Sequence, residues 1–116
     1  MQLDIQEVAS GAVTIVRVGE SINFANVREF NAAATKLLDQ GVDRLLLDME
    51  HVEFCNSHGF AVMINLYLKI TKAGGRFAIL KPRKAILEVL SITKMDSIIP
   101  IHKEEADAVT FLESDA

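Results

Sequence analysis

The stretch Val52–Ile70, "VEFCNSHGFAVMINLYLKI", sets Cys55-Asn56-Ser57-His58 and Gly59 between a strand-like apolar segment and a nearly continuous apolar run. Ser57 stands where a helix N-cap is expected, its oxygen able to accept a hydrogen bond from an unpaired first-turn N–H. The run behind it, from about Ser57 to Lys72, reads as a helix apolar almost all round. At about 100° per residue, His58, Asn65, Lys69 and Lys72 share one narrow face, flanked by Ala61, Val62 and Leu68. Such a narrow polar stripe predicts a helix packed on a sheet, with apolar shoulders left partly exposed.

The flanking sequence supplies that sheet. "DRLLLDM" is a short run suited to a buried central strand. Before it, "NVREFNAAATKLLDQG" repeats apolar residues at Val27, Phe30, Ala34, Leu37 and Leu38, a helical spacing closed by Gly41. Asn26 with Glu29 can form a capping box, and Asn23 is a rival cap. "LDIQEVASGAVTIVRVGE" holds two β-rich segments around a Ser10-Gly11 turn, with Val13, Ile15 and Val18 as inward candidates. Beyond the junction helix, Gly74-Gly75 terminates it, "RFAIL" is a strand, and Pro82 is expected to open a third helix as a first-turn proline. "SIIPI" is expected as a short strand, followed by a last helix beginning near Lys103-Glu104-Glu105. The order ββαβαβαβα predicts an α/β fold, a mixed sheet of four to five strands with about four helices, formed as one domain over residues 1–116.

Bulk properties narrow the function. The chain has 116 residues, 50% apolar and 24% charged, within the range of an ordinary globular protein. A net charge of −4 with acids and bases intermixed lacks the basic footprint that nucleic-acid backbones require. The amino terminus has two acids and no basic segment leading an apolar core, so no secretory signal is expected. The longest apolar run, Phe60–Leu68, is interrupted by Asn65 and falls short of the roughly 20 residues of a membrane span. A cytoplasmic domain without direct membrane insertion is the expectation. Without a P-loop, and with Gly74-Gly75 explained as a helix terminator, no cofactor is expected.

Three chemistries compete for the junction. "CNSHG" approaches the G-x-S-x-G nucleophile elbow, but Cys55 replaces its first glycine, and no acid-then-histidine order follows that would activate Ser57. A metal site from His51, Glu53, Cys55 and His58 lacks tight ligand spacing, and a lone cysteine cannot anchor a thiolate site. The third reading is a switch. A phosphoryl group on Ser57 would place nearly two negative charges at the positive end of a helix dipole, where anions are tolerated. Folding would be spared while a partner docked over that helix end met new charge and bulk. A plain structural cap is the alternative for Ser57.

The chain resembles the STAS domain family, named for sulfate transporters and anti-sigma factor antagonists. The resemblance rests on Gly19-Glu20, "NFANVREF", "LLLDMEHVEFCNSHGF", "AGGRFAIL" and "ILEVLSITKMDSII". Where the family pattern reads D-L-x-x-V-x-F-x-D-S-S-G-L, this chain runs from Asp48 to Phe60, with Asn56 for the aspartate and His58 for the second serine; Lys94 replaces a frequent turn glycine. The resemblance implies a STAS fold and a non-enzymatic phospho-switch of the anti-sigma factor antagonist type. It implies Ser57 as phosphoacceptor, an ATP-binding anti-sigma factor that is also a serine kinase as partner, and a serine phosphatase that resets the switch. The expected docking surface combines Asn23, Phe24 and Asn26 with Asn56, Ser57, His58, Ala61 and Val62. The alternative is a constitutive STAS module of a transporter or multi-protein signalling complex.

Overall fold

The computed structural model describes residues 1–115. Strands β1 (Leu3–Val8), β2 (Val13–Val18), β3 (Arg44–Asp48), β4 (Arg76–Leu80) and β5 (Ile101–His102) form one sheet in the order β1-β2-β3-β4-β5. β1 and β2 are antiparallel; every later pairing is parallel. The parallel pairings demand crossovers, which are α1 (Val27–Asp39), α2 (Ser57–Lys72) and α3 (Lys84–Ile92), with α4 (Glu105–Glu113) at the end.

Side-chain alternation explains the uninterrupted Leu45-Leu46-Leu47 run. Val16, Val18, Leu45, Leu47, Phe77 and Ile79 face the layer of α1, α2 and α3. Val13, Ile15, Leu46, Ala78 and Leu80 face Ala108 and Leu112 of α4. A central strand buried on both faces has no polar side to show, so its sequence is apolar throughout. The inward candidates Val13, Ile15 and Val18 are all buried, although they divide between the two cores.

Several local expectations are corrected. The strand at "SIIPI" is displaced: Met95–Ser97 is a 3₁₀ turn, Ile98 has helical dihedrals and the strand is Ile101–His102. Pro100 has no N–H to give a ladder and contributes only its carbonyl, which accepts from Ile79 N at 2.9 Å. Pro82 lies two residues ahead of α3, whose cap is Arg83, so it sets the approach to the helix rather than its first turn. The Asn26–Glu29 capping box does not form. Asn26 occupies the cap position without a capping side-chain bond, and Glu29 instead pairs with the Met1 amino group. Lys94, at the turn where the STAS pattern carries glycine, has φ +62°. Left-handed backbone costs an L-residue about 1 kcal/mol, which the surrounding turn sustains.

This arrangement brings the first turns of α1, α2 and α3 to the carboxyl edge of the parallel strands. In open α/β sheets that edge is where binding loops collect.

Candidate functional site

The junction loop is built on the end of β3. Asp48, only 3% exposed, accepts from Glu50 N at 3.0 Å and from Arg17 at 2.9 Å, and Arg17 also reaches Glu105 at 2.9 Å. Glu105 first, then Asp48, hold the Arg17 guanidinium above its ordinary pKa, so this anchor stays charged. From there the chain runs beside the β2–α1 loop. Ile22 N donates to Phe54 O at 2.9 Å, Asn56 N donates to Ile22 O at 3.0 Å, and Phe54 N donates to Ser21 Oγ at 3.0 Å. Two loops that would each be mobile alone are thereby fastened as one platform.

Asn26 organises the second of these loops from inside. It is 5% exposed, accepts from Asn23 N at 2.9 Å, and donates to Ser21 O at 2.8 Å and Glu20 at 3.0 Å. Glu20, bonded by Gln2 N–H and then by Asn26, is held below the usual carboxylate range. Asn23 accepts from Ala25 N at 2.9 Å through its side chain, an Asx turn that leaves Phe24 at the tip, 84% exposed. Asn26 is thus buried behind the surface to which the sequence assigned it.

The first turn of α2 also differs from expectation. Asn56, not Ser57, is the N-cap: its backbone is extended and its Oδ1 accepts from Gly59 N at 2.8 Å. Both residue types favour caps, so sequence alone cannot separate them. Ser57 is therefore the first helical residue, exposed, and its hydroxyl has no hydrogen-bond partner among the described residues. Asn56 Nδ2 is buried without a hydrogen-bond partner among the described residues, a donor that the aspartate of the family pattern would not carry. Gly59 is required by crowding: a Cβ there would meet Cys55 Sγ at 2.4 Å and Ile22 Cγ2 at 2.9 Å.

Between α1 and α2 these pieces frame an open groove of about 610 Å³. Of the residues assigned to docking, Phe24, His58, Ala61 and Val62 line it. The His58 ring stands edge-on to Phe24, centroids 6.4 Å apart. Val62 is only 8% exposed, so it is floor rather than an exposed shoulder; Ala61 is exposed. Arg28, Asn31 and Asn65 complete the polar wall. Asn65 is on the polar stripe that the sequence shows with His58, whereas nothing in the sequence pattern singles out Arg28 or Asn31.

Among the described residues, no three His, Cys, Asp or Glu side chains cluster as metal ligands. Glu53 faces Arg83 at 3.6 Å, and His102 lies against Phe111, so neither is directed at Ser57. No described helix is long and apolar enough to cross a membrane. The Cys55 thiol, 8% exposed, is pushed up from 9.0 to about 12 by burial, which makes it a poor nucleophile near neutral pH. Unfolding releases this proton between those two values, so stability falls as pH rises from 9.0 to about 12. We expect this component to approach about 1.4 kcal/mol per pH unit, measured as the difference in slope between parent and Cys55→Ala in denaturant titrations. Equal slopes would show that the thiol ionises normally in the folded chain.

The comparisons with known proteins agree with this architecture. A Thermotoga neapolitana protein provisionally named an anti-sigma factor antagonist is 29% identical over 98 residues, spanning 84% of this chain and 87% of that protein. The crystal structure of a Thermotoga maritima protein, provisionally named likewise, superposes with a TM-score of 0.90 at 25% identity, covering 97% of this chain and 95% of that one. The Bacillus cell fate determinant SpoIIAA, solved in its phosphorylated form, shares the fold with a TM-score of 0.75 at 16% identity, over 94% of this chain and 97% of that one. The sequence profile of the STAS domain matches residues 4–108, and with it the sheet, the three-helix layer and the junction loop; the chain belongs to the STAS domain family.

Proposed function

We propose that the chain is an anti-sigma factor antagonist working as a phospho-switch. Unphosphorylated, it binds an ATP-binding anti-sigma factor that is also a serine kinase; phosphorylated on Ser57, it releases that partner, and a serine phosphatase resets it. The observation that carries the reading is the position of Ser57: an exposed, unbonded hydroxyl on the first residue of α2, beside the groove and outside the core. The kinase transfers the γ-phosphoryl of ATP to Ser57 Oγ: the Oγ–P bond forms, the bond from Pγ to the β,γ-bridging oxygen breaks, and ADP leaves. The hydroxyl proton passes to a base on the kinase. The product carries a charge of about −1.5 to −2 at a helix end that tolerates anions, so the fold persists while the docking surface gains negative charge and bulk. The relatives' names point to the same role.

A second reading, a constitutive interaction module, is favoured by one observation: Asn56 and His58 stand where the family pattern has an acid and a second serine. Binding separates the two. A purified kinase of the anti-sigma type from the same genome is titrated with the parent, Ser57→Ala and Ser57→Asp. The switch predicts tight binding by the first two and a loss of roughly 100-fold for Ser57→Asp, the scale of a charge buried without a partner. Equal binding by all three would leave the constitutive module.

A further inference from the structure

We infer that the α1–α2 groove is built for a partner-protein segment that sets an apolar side chain on Phe24, Ala61 and Val62 and a carboxylate against Arg28. This rests on the docking role proposed above and specifies the chemistry of what docks. Although the chain carries a net charge of −4, no carboxylate among the described residues lines the groove, and the only ionisable groups among its described lining residues are Arg28 and His58. Lys69 and Lys72 extend the same exposed stripe along α2.

The state of Arg28 gives the argument its direction. Each of the other arginines is engaged. Arg17 holds Asp48 and Glu105, Arg44 holds Asp115, Arg76 lies over Phe111, and Arg83 donates to Glu50 O. Arg28 alone among the described arginines has no hydrogen bond or ion pair. It also sits in the first turn of α1, where a cation opposes the helix dipole, as His58 would when protonated in the first turn of α2. Neither placement favours stability. Glu29, the acid of the α1 first turn, is taken by the Met1 amino group. An unpaired guanidinium beside an exposed phenylalanine over an apolar floor is the arrangement of an interface anchor, completed by a bidentate carboxylate from outside.

The test selects random short peptides, displayed on phage, against the intact chain, and locates the binders by amide chemical-shift changes. The expected winners combine Asp or Glu with an aromatic or aliphatic residue and perturb Arg28, His58 and Asn65. Arg28→Glu should weaken them by about tenfold or more and should itself select peptides bearing Lys or Arg. Because Glu suits a helix first turn, this variant should melt no lower than the parent, so lost binding is not lost folding. Winners without acids, winners indifferent to Arg28→Glu, or failure to obtain any groove binder would overturn the inference. No kinase enters this assay, so the phospho-switch can fail while the acidic preference stands. Conversely, a kinase that binds the parent and Arg28→Glu equally well would overturn the inference and leave the switch.

Discussion

Replacing Gly75 by alanine is expected to destabilise the protein by about 3 kcal/mol or more, a large part of the stability of a domain this size. A Cβ at Gly75 would stand 1.9 Å from the carbonyl oxygen of Asp43 and 2.9 Å from its carbon. These are backbone atoms at the start of β3, and they are not free to step aside. Arg76 N donates to the same Asp43 oxygen at 2.8 Å, and Gly75 N closes the end of α2 on Ile70 O at 2.8 Å. Relief of the clash must therefore open the β3–β4 ladder or unwind the helix end. Gly74→Ala is the control. Its φ of +86° makes alanine costly by about 1 kcal/mol, but among the described residues nothing beyond its chain neighbours lies within 4 Å of the added carbon. Urea titrations of both variants should give a drop for Gly75→Ala about three times that for Gly74→Ala; similar drops would mean that the β3 start yields easily.

The second large effect is on binding. Phe24→Ala should reduce affinity for the anti-sigma kinase proposed as partner by roughly 30-fold, the scale of an interface hot spot, with almost no change in stability. Phe24 is 84% exposed and its described aromatic contact is the edge of His58, so the folded chain loses little when it is truncated. Its backbone position is fixed from below by Asn23 and the buried Asn26, which makes it a pre-ordered anchor. Asn26→Ala should act differently, lowering stability and affinity together, because it removes bonds to Asn23, Ser21 and Glu20. Calorimetry with the kinase, paired with thermal melts, distinguishes the contact residue from the positioning one. An unchanged affinity for Phe24→Ala would move the docking surface away from this groove.

How far the sequence could be read depended on how local each determinant was. The helical period from Val27 to Leu37 and the leucine run at Leu45–Leu47 reflect burial patterns within a few residues, and both elements lie where that reasoning puts them. The Asn56–Ser57 choice of cap depends on one ψ angle and was not decidable from side-chain preference. Pro100 ends up just ahead of β5 because Met95–Ser97 wind into a 3₁₀ turn, which a pattern of isoleucines does not announce, and the strand starts only at Ile101. The groove was half legible. His58, Ala61, Val62 and Asn65 fall on one wheel, but Arg28 and Asn31 enter only when α1 packs beside α2, a contact with no local signature. Gly75 shows the same limit: the sequence marks a helix stop, whereas its closest neighbour is Asp43, more than thirty residues earlier.

The central claim is that Ser57 carries the switch. The most direct measurement is the intact mass of the protein isolated from its native cells, grown under several conditions with the phosphatase blocked, alongside Ser57→Ala. The account predicts a species heavier by one phosphate in the parent and none in the variant. A parent that never gains that mass, or a variant that gains it equally, would contradict the phospho-switch at Ser57.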